Sequence, residues 1–304
     1  MGPTGIGKTN LAFDLYDKLD LEIISVDSVQ IYKHLDIGSG KPSNEFLKKY
    51  PHKLINKIEP YDSYSTALFR EEAANEIYSA SKKNKLPLLV GGTMLYFQSL
   101  FSGLSNMPKT DPVVRKKIAK QAELLGWEVM HGKLSNIDPD SAKRIHPNDA
   151  QRIQRALEVY ESSLKTLTEW HKENKKEVNP KLLNYKIFQF AIETEDRESH
   201  RKKVASRFQS MIDEGLVEEV EAILKIKGMN ANASSMRSVG YRQVCEFLKG
   251  KISYDEMVFR GVIATRQLAK RQMTWLRSWK DLIWLNESSR DLSQDILNTV
   301  FNDL

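Results

Sequence analysis

The chain has 304 residues, 40% hydrophobic and 28% charged, enough for one large domain or two modest ones with a sizeable core. No apolar run approaches the ~20 residues that span a bilayer, and the first residues lack the charged, apolar and small-residue succession of a signal peptide, so a soluble, cytoplasmic protein is expected. The single cysteine, Cys245, excludes an internal disulfide and a cysteine-based zinc cluster, and the net charge of +6 favours an anionic partner.

Gly2, Pro3, Thr4, Gly5, Ile6, Gly7, Lys8 and Thr9 spell GPTGIGKT, two glycines four residues apart followed by Lys and Thr. The glycines let successive backbone N–H groups turn toward phosphate oxygens, Lys8 supplies a point charge, and Thr9 offers its hydroxyl to magnesium. Leu11, Leu15 and Leu19 follow at helical spacing, so the phosphate would also meet a helix N-terminus. Such a loop ordinarily follows a buried strand, and only Met1 precedes it here. A version carrying upstream codons is therefore expected to be more stable and more active.

Leu21–Val26 (LEIISV) is a short apolar run rich in β-branched residues and predicts a buried parallel strand. Residues 54–58 suggest a weaker strand, 66–83 a helix, and 86–90 another buried strand closed by Gly91, Gly92 and Thr93. This alternation predicts an α/β fold with a parallel sheet. Asp111 and Pro112 form a cap followed by a first-turn proline, and every periodic segment from there to about Asn184 reads as helix. Strand character resumes over 186–192, then come a long helix from about Arg197 and a late strand over 282–285. The expected organisation is a discontinuous core, 1–112 and 186–304, interrupted by a helical insertion over 113–185.

Asp27 and Ser28 fall just past the end of the first predicted strand, on the sheet edge where ligands bind in open α/β folds. A carboxylate there can ligand magnesium, serve as a general base or cap a turn. Thr93 follows Gly91 and Gly92 on the same edge. The strand most like the one that ends in the magnesium-binding aspartate of nucleotide hydrolases, 86–90, ends instead in glycine and threonine, which disfavours a motor or switch ATPase. In RIHPNDAQRIQRALEVY (144–160), Asn148 can cap a helix with Ile153, Leu157 and Tyr160 as its apolar stripe, leaving Gln151, Arg152 and Arg155 free for phosphate or base contacts. His146 reads as a turn residue, and none of the six histidines has metal spacing.

In RSVGYR (237–242), Tyr241 can stack on a base and the arginines can clamp a phosphate. From Arg260 to Lys280 there are six basic residues and no acidic one, interleaved with Trp275 and Trp279. That is the profile of a helix facing nucleic acid.

These blocks together, with SVDSVQIYKHLDIGSGKP (25–42), LVGGTMLYFQSLFSGLS (89–105) and ATRQLAKRQMTWLR (264–277), closely resemble the tRNA dimethylallyltransferases, also called tRNA isopentenyltransferases, of the bacterial type. The resemblance implies a P-loop kinase-like core with a helical insertion that clamps the tRNA anticodon stem-loop. It also implies transfer of a dimethylallyl group from dimethylallyl diphosphate to the exocyclic amine of adenosine 37, with magnesium as cofactor, by a monomer needing no protein partner.

The phosphate loop, a pattern usually described as nucleotide- or ATP-binding, would then hold the diphosphate leaving group. By the same resemblance Asp27 is the base, Thr93 stands where adenine meets the donor, and Lys8 steadies the leaving group. The implied tRNA contacts are Asp27, Ser28, Val29, Gln30, Thr93 and Arg115; Gln151, Arg152, Ile153, Gln154 and Arg155; Arg237, Ser238, Val239, Gly240, Tyr241 and Arg242; and Lys270, Arg271, Gln272, Met273, Thr274, Trp275, Leu276 and Arg277. The residues alone leave two alternatives: a P-loop nucleoside or metabolite kinase using ATP, which leaves the arginine-rich blocks idle, and a non-catalytic RNA-binding protein.

Overall fold

The computed structural model describes residues 1–103, 107–108, 111–173, 179–194 and 196–302. The chain forms two compact units, Met1–Phe101 together with Asn179–Leu304, and Ser102–Val178; the sequence had set the insertion at 113–185.

In the first unit, α1 (Lys8–Lys18) leaves the phosphate loop and β1 (Leu21–Val26) follows. Every β1 residue except Glu22 is buried, as suits a parallel strand covered on both faces. Next come α2 (Asn44–Lys49), the two-residue β2 (His52–Lys53), α3 (Thr66–Lys82), β3 (Leu86–Gly91) and α4 (Met94–Ser102). β1 lies between β2 and β3 and is parallel to both, with Leu21 opposite Leu86 and Val26 opposite Gly91. α3 buries Phe69, Ala73, Ala74, Ile77 and Ala80, a stripe at the three- and four-residue spacing that one helix face requires. The strand expected over 54–58 does not form. Leu54 and Asn56 adopt left-handed φ of 61° and 53°, which breaks an extended backbone, and only Ile58 keeps a bridge, to Tyr32.

The second unit contains α5 (Pro112–Leu125), α6 (Trp127–Ile137), α7 (Pro139–Arg144), α8 (Ala150–Ser163) and α9 (Leu167–Glu173) around Ile118, Met130, Leu134, Ile153 and Leu157. Asp111 caps α5 by accepting the Val113 N–H, with Pro112 in the first turn. The cap of α8 is Asp149 and not Asn148: the Asp149 carboxylate accepts the Arg152 N–H at 3.2 Å, while the Asn148 N–H is committed to His146 Nδ1 in the preceding turn.

The first unit resumes with β4 (Phe190–Glu193), α10 (Arg197–Asp213), α11 (Leu216–Leu224), α12 (Tyr241–Leu248), α13 (Tyr254–Arg277), β5 (Ile283–Asn286) and α14 (Leu292–Asn302). β4 pairs in parallel with β5, Phe190 opposite Ile283. The strand expected from 186 starts only at Phe190, because β5 offers no ladder partner before Ile283. Cys245 is a buried core residue of α12. Met1 stands beside β4 in parallel register: its amino group donates to Phe190 O at 2.7 Å and its carbonyl accepts the Ile192 N–H at 3.1 Å. An apolar cavity of 350 Å³ borders Met1, lined among others by Leu88, Val90, Phe97 and Phe190. Among the described residues no helix is long and apolar enough to cross a membrane.

Candidate active site

The carboxyl ends of β1 and β3 open onto a cavity of 340 Å³ walled by the phosphate loop, Asp27, Gln30, residues 38–40, Gly91 and Gly92, and side chains of α10 and α13. Gly5 and Gly7 hold φ of 78° and 89°, conformations that L-residues with a Cβ rarely adopt, and the chain then enters α1 at Lys8. The Lys8 ammonium donates to Pro3 O at 2.7 Å. Burial lowers its pKa to about 8; Asp27 acts against the shift and Arg207 adds to it. The Lys8 ammonium thus loses its proton more readily than an exposed lysine, and a phosphate anion beside it would raise its pKa again.

Asp27 divides its two oxygens. Oδ1 accepts the N–H groups of Val29 at 2.8 Å and Gln30 at 3.2 Å, capping the turn after β1, and Oδ2 has no hydrogen-bond donor among the described residues. One oxygen of the carboxylate therefore caps the turn while the other is left for a ligand. Thr93 lies opposite: its Oγ1 accepts the Ser28 N–H at 3.0 Å and its backbone N–H reaches Val26 O at 3.2 Å. The ends of β1 and β3 are thereby tied together. Gln30 turns inward, accepting from Ser25 Oγ and donating to Ser39 O and Gly40 O; Val29 lines the cavity, and Ser28 is exposed.

Two residues that sequence reasoning missed complete the site. Arg207 on α10 lines the cavity, packs over Gly40 so closely that no Cβ would fit there, and acts on Lys8 electrostatically. It has no ion pair or hydrogen bond within the described residues. The one sequence signal was its place between Val204 and Met211, next to Phe208, at helical spacing. Glu219 on α11 accepts the N–H groups of Asp36 (2.9 Å), Ile37 (2.7 Å) and Gly38 (3.2 Å), and the Tyr241 hydroxyl (2.7 Å). Nothing local in the sequence signals that these groups meet.

The expected base-stacking role of Tyr241 is corrected here. The side chain is fully buried and its hydroxyl is bound to Glu219, so it buttresses residues 36–38 and offers no ring face to a base. Burial, with Glu219 beside it, raises its pKa far above the usual phenol range. Of its neighbours, Arg237 and Arg242 are exposed, Ser238 is half-buried, Val239 lines the cavity, and Gly240 donates its N–H to Gln243.

On α13, Arg266, Lys270, Arg271, Thr274 and Arg277 are exposed and Trp275 is partly so, whereas Leu276 is buried and Met273 half-buried against Met94 and Ala191. Among the basic residues from 260 to 280, Arg260 alone makes an ion pair within the described residues, to Glu246 and Glu256. Gln272 points inward, to Thr4 N and Gly92 O.

In the second unit, Gln151 and Arg152 are exposed, Ile153 is buried, and Gln154 donates to Arg115 O. Arg155, expected on the free face, is half-buried: it donates to Pro108 O and lies 3.8 Å from Glu158, with Arg115 at 3.6 Å from the same carboxylate. Burial raises the Glu158 pKa, against which Arg115 and Arg155 act.

Sequence comparison assigns this assembly to a family. The model of the IPP transferase family matches residues 30–279, and that of isopentenyl transferase matches residues 1–58. A solved tRNA isopentenylpyrophosphate transferase from Bacillus halodurans is 29% identical, with 99% of this chain and 94% of that one covered and a TM-score of 0.71. The corresponding enzyme from Staphylococcus epidermidis is 31% identical, with coverages of 100% and 98% and a TM-score of 0.70. A eukaryotic dimethylallyltransferase acting on tRNA, 24% identical with coverages of 99% and 78%, shares the fold with a TM-score of 0.78. The core is thus of the P-loop kinase-like type, and neither the kinase nor the non-catalytic alternative is favoured. The chain belongs to the IPP transferase family, the tRNA dimethylallyltransferases.

Proposed function

We propose that the cavity binds dimethylallyl diphosphate by its diphosphate and transfers the dimethylallyl group to the exocyclic amine of adenosine 37 of tRNA. The protein is a tRNA prenyltransferase; the observation that carries the assignment of the reacting groups is the meeting of Lys8, Arg207 and the Asp27 carboxylate in one cavity. Backbone N–H groups of residues 5–9, Lys8 and Arg207 take up the negative charge that grows on the departing diphosphate. The adenine amine is a weak nucleophile because its lone pair is delocalised. Asp27 Oδ2 therefore accepts its proton as the C–N bond forms and the C–O bond to diphosphate breaks, a contribution of roughly 100- to 10,000-fold. Thr93, tied to Ser28, positions the base against the donor.

Magnesium fits this site in one respect: Thr9 lines the cavity with its hydroxyl engaged by no described residue. Among the described residues no group of three or more His, Cys, Asp or Glu could hold a metal alone, so the remaining ligands would be phosphate oxygens and water, as magnesium accepts. Thr9 would hold it, and it would neutralise leaving-group charge.

For tRNA, we assign the exposed Arg237, Arg242, Lys270, Arg271 and Arg277, with Gln151 and Arg152 of the second unit, to the anticodon stem-loop. Adenosine 37 leaves its stack to enter the cavity. The decisive variant is Asp27→Ala, for which prenyl transfer is expected to fall at least ~100-fold while tRNA affinity stays within a few fold. Wild-type turnover in this variant would remove Asp27 as the base.

A further inference from the structure

Gln272 sits in the most cationic stretch of α13, yet its side chain is half-buried and turned away from that surface. Its Oε1 accepts the Thr4 N–H at 2.9 Å and its Nε2 donates to Gly92 O at 2.8 Å. One planar amide therefore spans the phosphate loop and the turn that presents Thr93. Among side chains, only a carboxamide offers an acceptor and a donor side by side in one rigid plane without carrying charge into a phosphate site. The next peptide group, between Thr4 and Gly5, is held from α10, where His200 Nε2 lies 3.0 Å from Thr4 O; the carbonyl can only accept, so Nε2 carries the proton.

Gly92 completes the fit. A Cβ there would approach Gln272 Nε2 to 2.5 Å, closer than real contacts allow. The residue is glycine where the carboxamide lies.

We infer that Gln272 is a positioning residue of the transfer reaction: it fixes the separation between the donor loop and the Thr93 turn, and it does not bind RNA. The inference rests on the prenyl-transfer reading above. It follows from the geometry that loss of the strut alters how the bound donor faces the adenine amine, since a displacement of about 1 Å at a reacting centre can cost on the order of 100-fold in rate.

Gln272→Met in the full chain keeps length and volume and removes both hydrogen bonds. The single-turnover rate at saturating dimethylallyl diphosphate and tRNA is expected to fall roughly 10- to 100-fold, with tRNA affinity within about threefold of wild type. Because Gly92→Ala displaces the same carboxamide, it should slow transfer similarly. Gln272→Ala vacates that space, so the double variant Gln272→Ala, Gly92→Ala should be no slower than the slower single by more than about threefold, the non-additivity of two lesions in one contact. A wild-type rate in Gln272→Met overturns the inference. So does a loss confined to tRNA affinity, which would make Gln272 an RNA contact, and so do fully multiplicative effects in the double variant. Failure of the wild-type protein itself to transfer the prenyl group would instead overturn the reading on which the inference rests.

Discussion

Lys8 and Asp27 owe their chemistry to where the backbone leaves them. Burial lowers the Lys8 pKa to about 8, so below that pH the cation is in place and above it the loop must take up a proton to bind a diphosphate. The dissociation constant of dimethylallyl diphosphate is accordingly expected to be flat below pH 8. Above pH 8 it should rise by about tenfold per pH unit, until the pKa of the bound lysine is reached. A titration by calorimetry at constant magnesium from pH 7 to 9.5 checks this; a flat profile would mean that Lys8 stays charged in the free protein. The phosphate loop, and the position of Asp27 and Thr93 just past two strands, were legible in the sequence because glycine spacing and apolar runs are local signals. Arg207 and Glu219 were not. Glu219 works through the backbone of Asp36–Gly38, some 180 residues away in the chain, and a lone glutamate on an amphipathic helix has no local mark that distinguishes it from a solvated one. Tyr241 was misread for the same reason: GYR is compatible with an exposed ring or a buried one, and only the place of Glu219 decides between them.

At the level of elements, α13 is double-faced. Met257, Gly261, Ala264, Ala269 and Leu276 are buried, whereas Arg266, Lys270, Arg271 and Arg277 are exposed with no acidic partner within the described residues. Such unpaired cations suit phosphate contacts, and each phosphate contact removed lessens the dependence of binding on salt. Arg271→Ala and Arg277→Ala are expected to weaken tRNA binding and to reduce the slope of log K against log salt by about one each, with dimethylallyl diphosphate affinity unchanged. Filter binding at several salt concentrations checks this; unchanged affinity in both variants would remove α13 from the tRNA surface. The helix was visible in the sequence through its periodicity and one-sided charge. The inward aim of Gln272 was not, since residues 270–277 were read as one block, and helical geometry sends successive positions to different faces. Strand limits were similarly blurred: apolar content over 54–58 and 186–189 suggested strands, but pairing partners and left-handed φ values decided where extended structure could exist.

For the whole molecule, the order of blocks along the chain foretold an α/β core with a helical interruption, because alternating strands and helices give way to purely helical periodicity and then return. The core gathers residues from positions 4 to 272 around one cavity at the carboxyl ends of β1 and β3, the place where open parallel sheets bind ligands. That gathering puts the phosphate loop with Lys8, the Asp27 carboxylate, Arg207 and the Gly91–Gly92 turn around one space, and the proposed transfer site rests on it. The most direct measurement is incubation of the protein with magnesium, labelled dimethylallyl diphosphate and unmodified tRNA carrying adenosine at position 37, followed by nucleoside analysis. The account predicts label on N6 of adenosine 37 and none in tRNA lacking that adenosine. Tight tRNA binding with no label, or phosphate transfer from ATP to a small acceptor in its place, would contradict it.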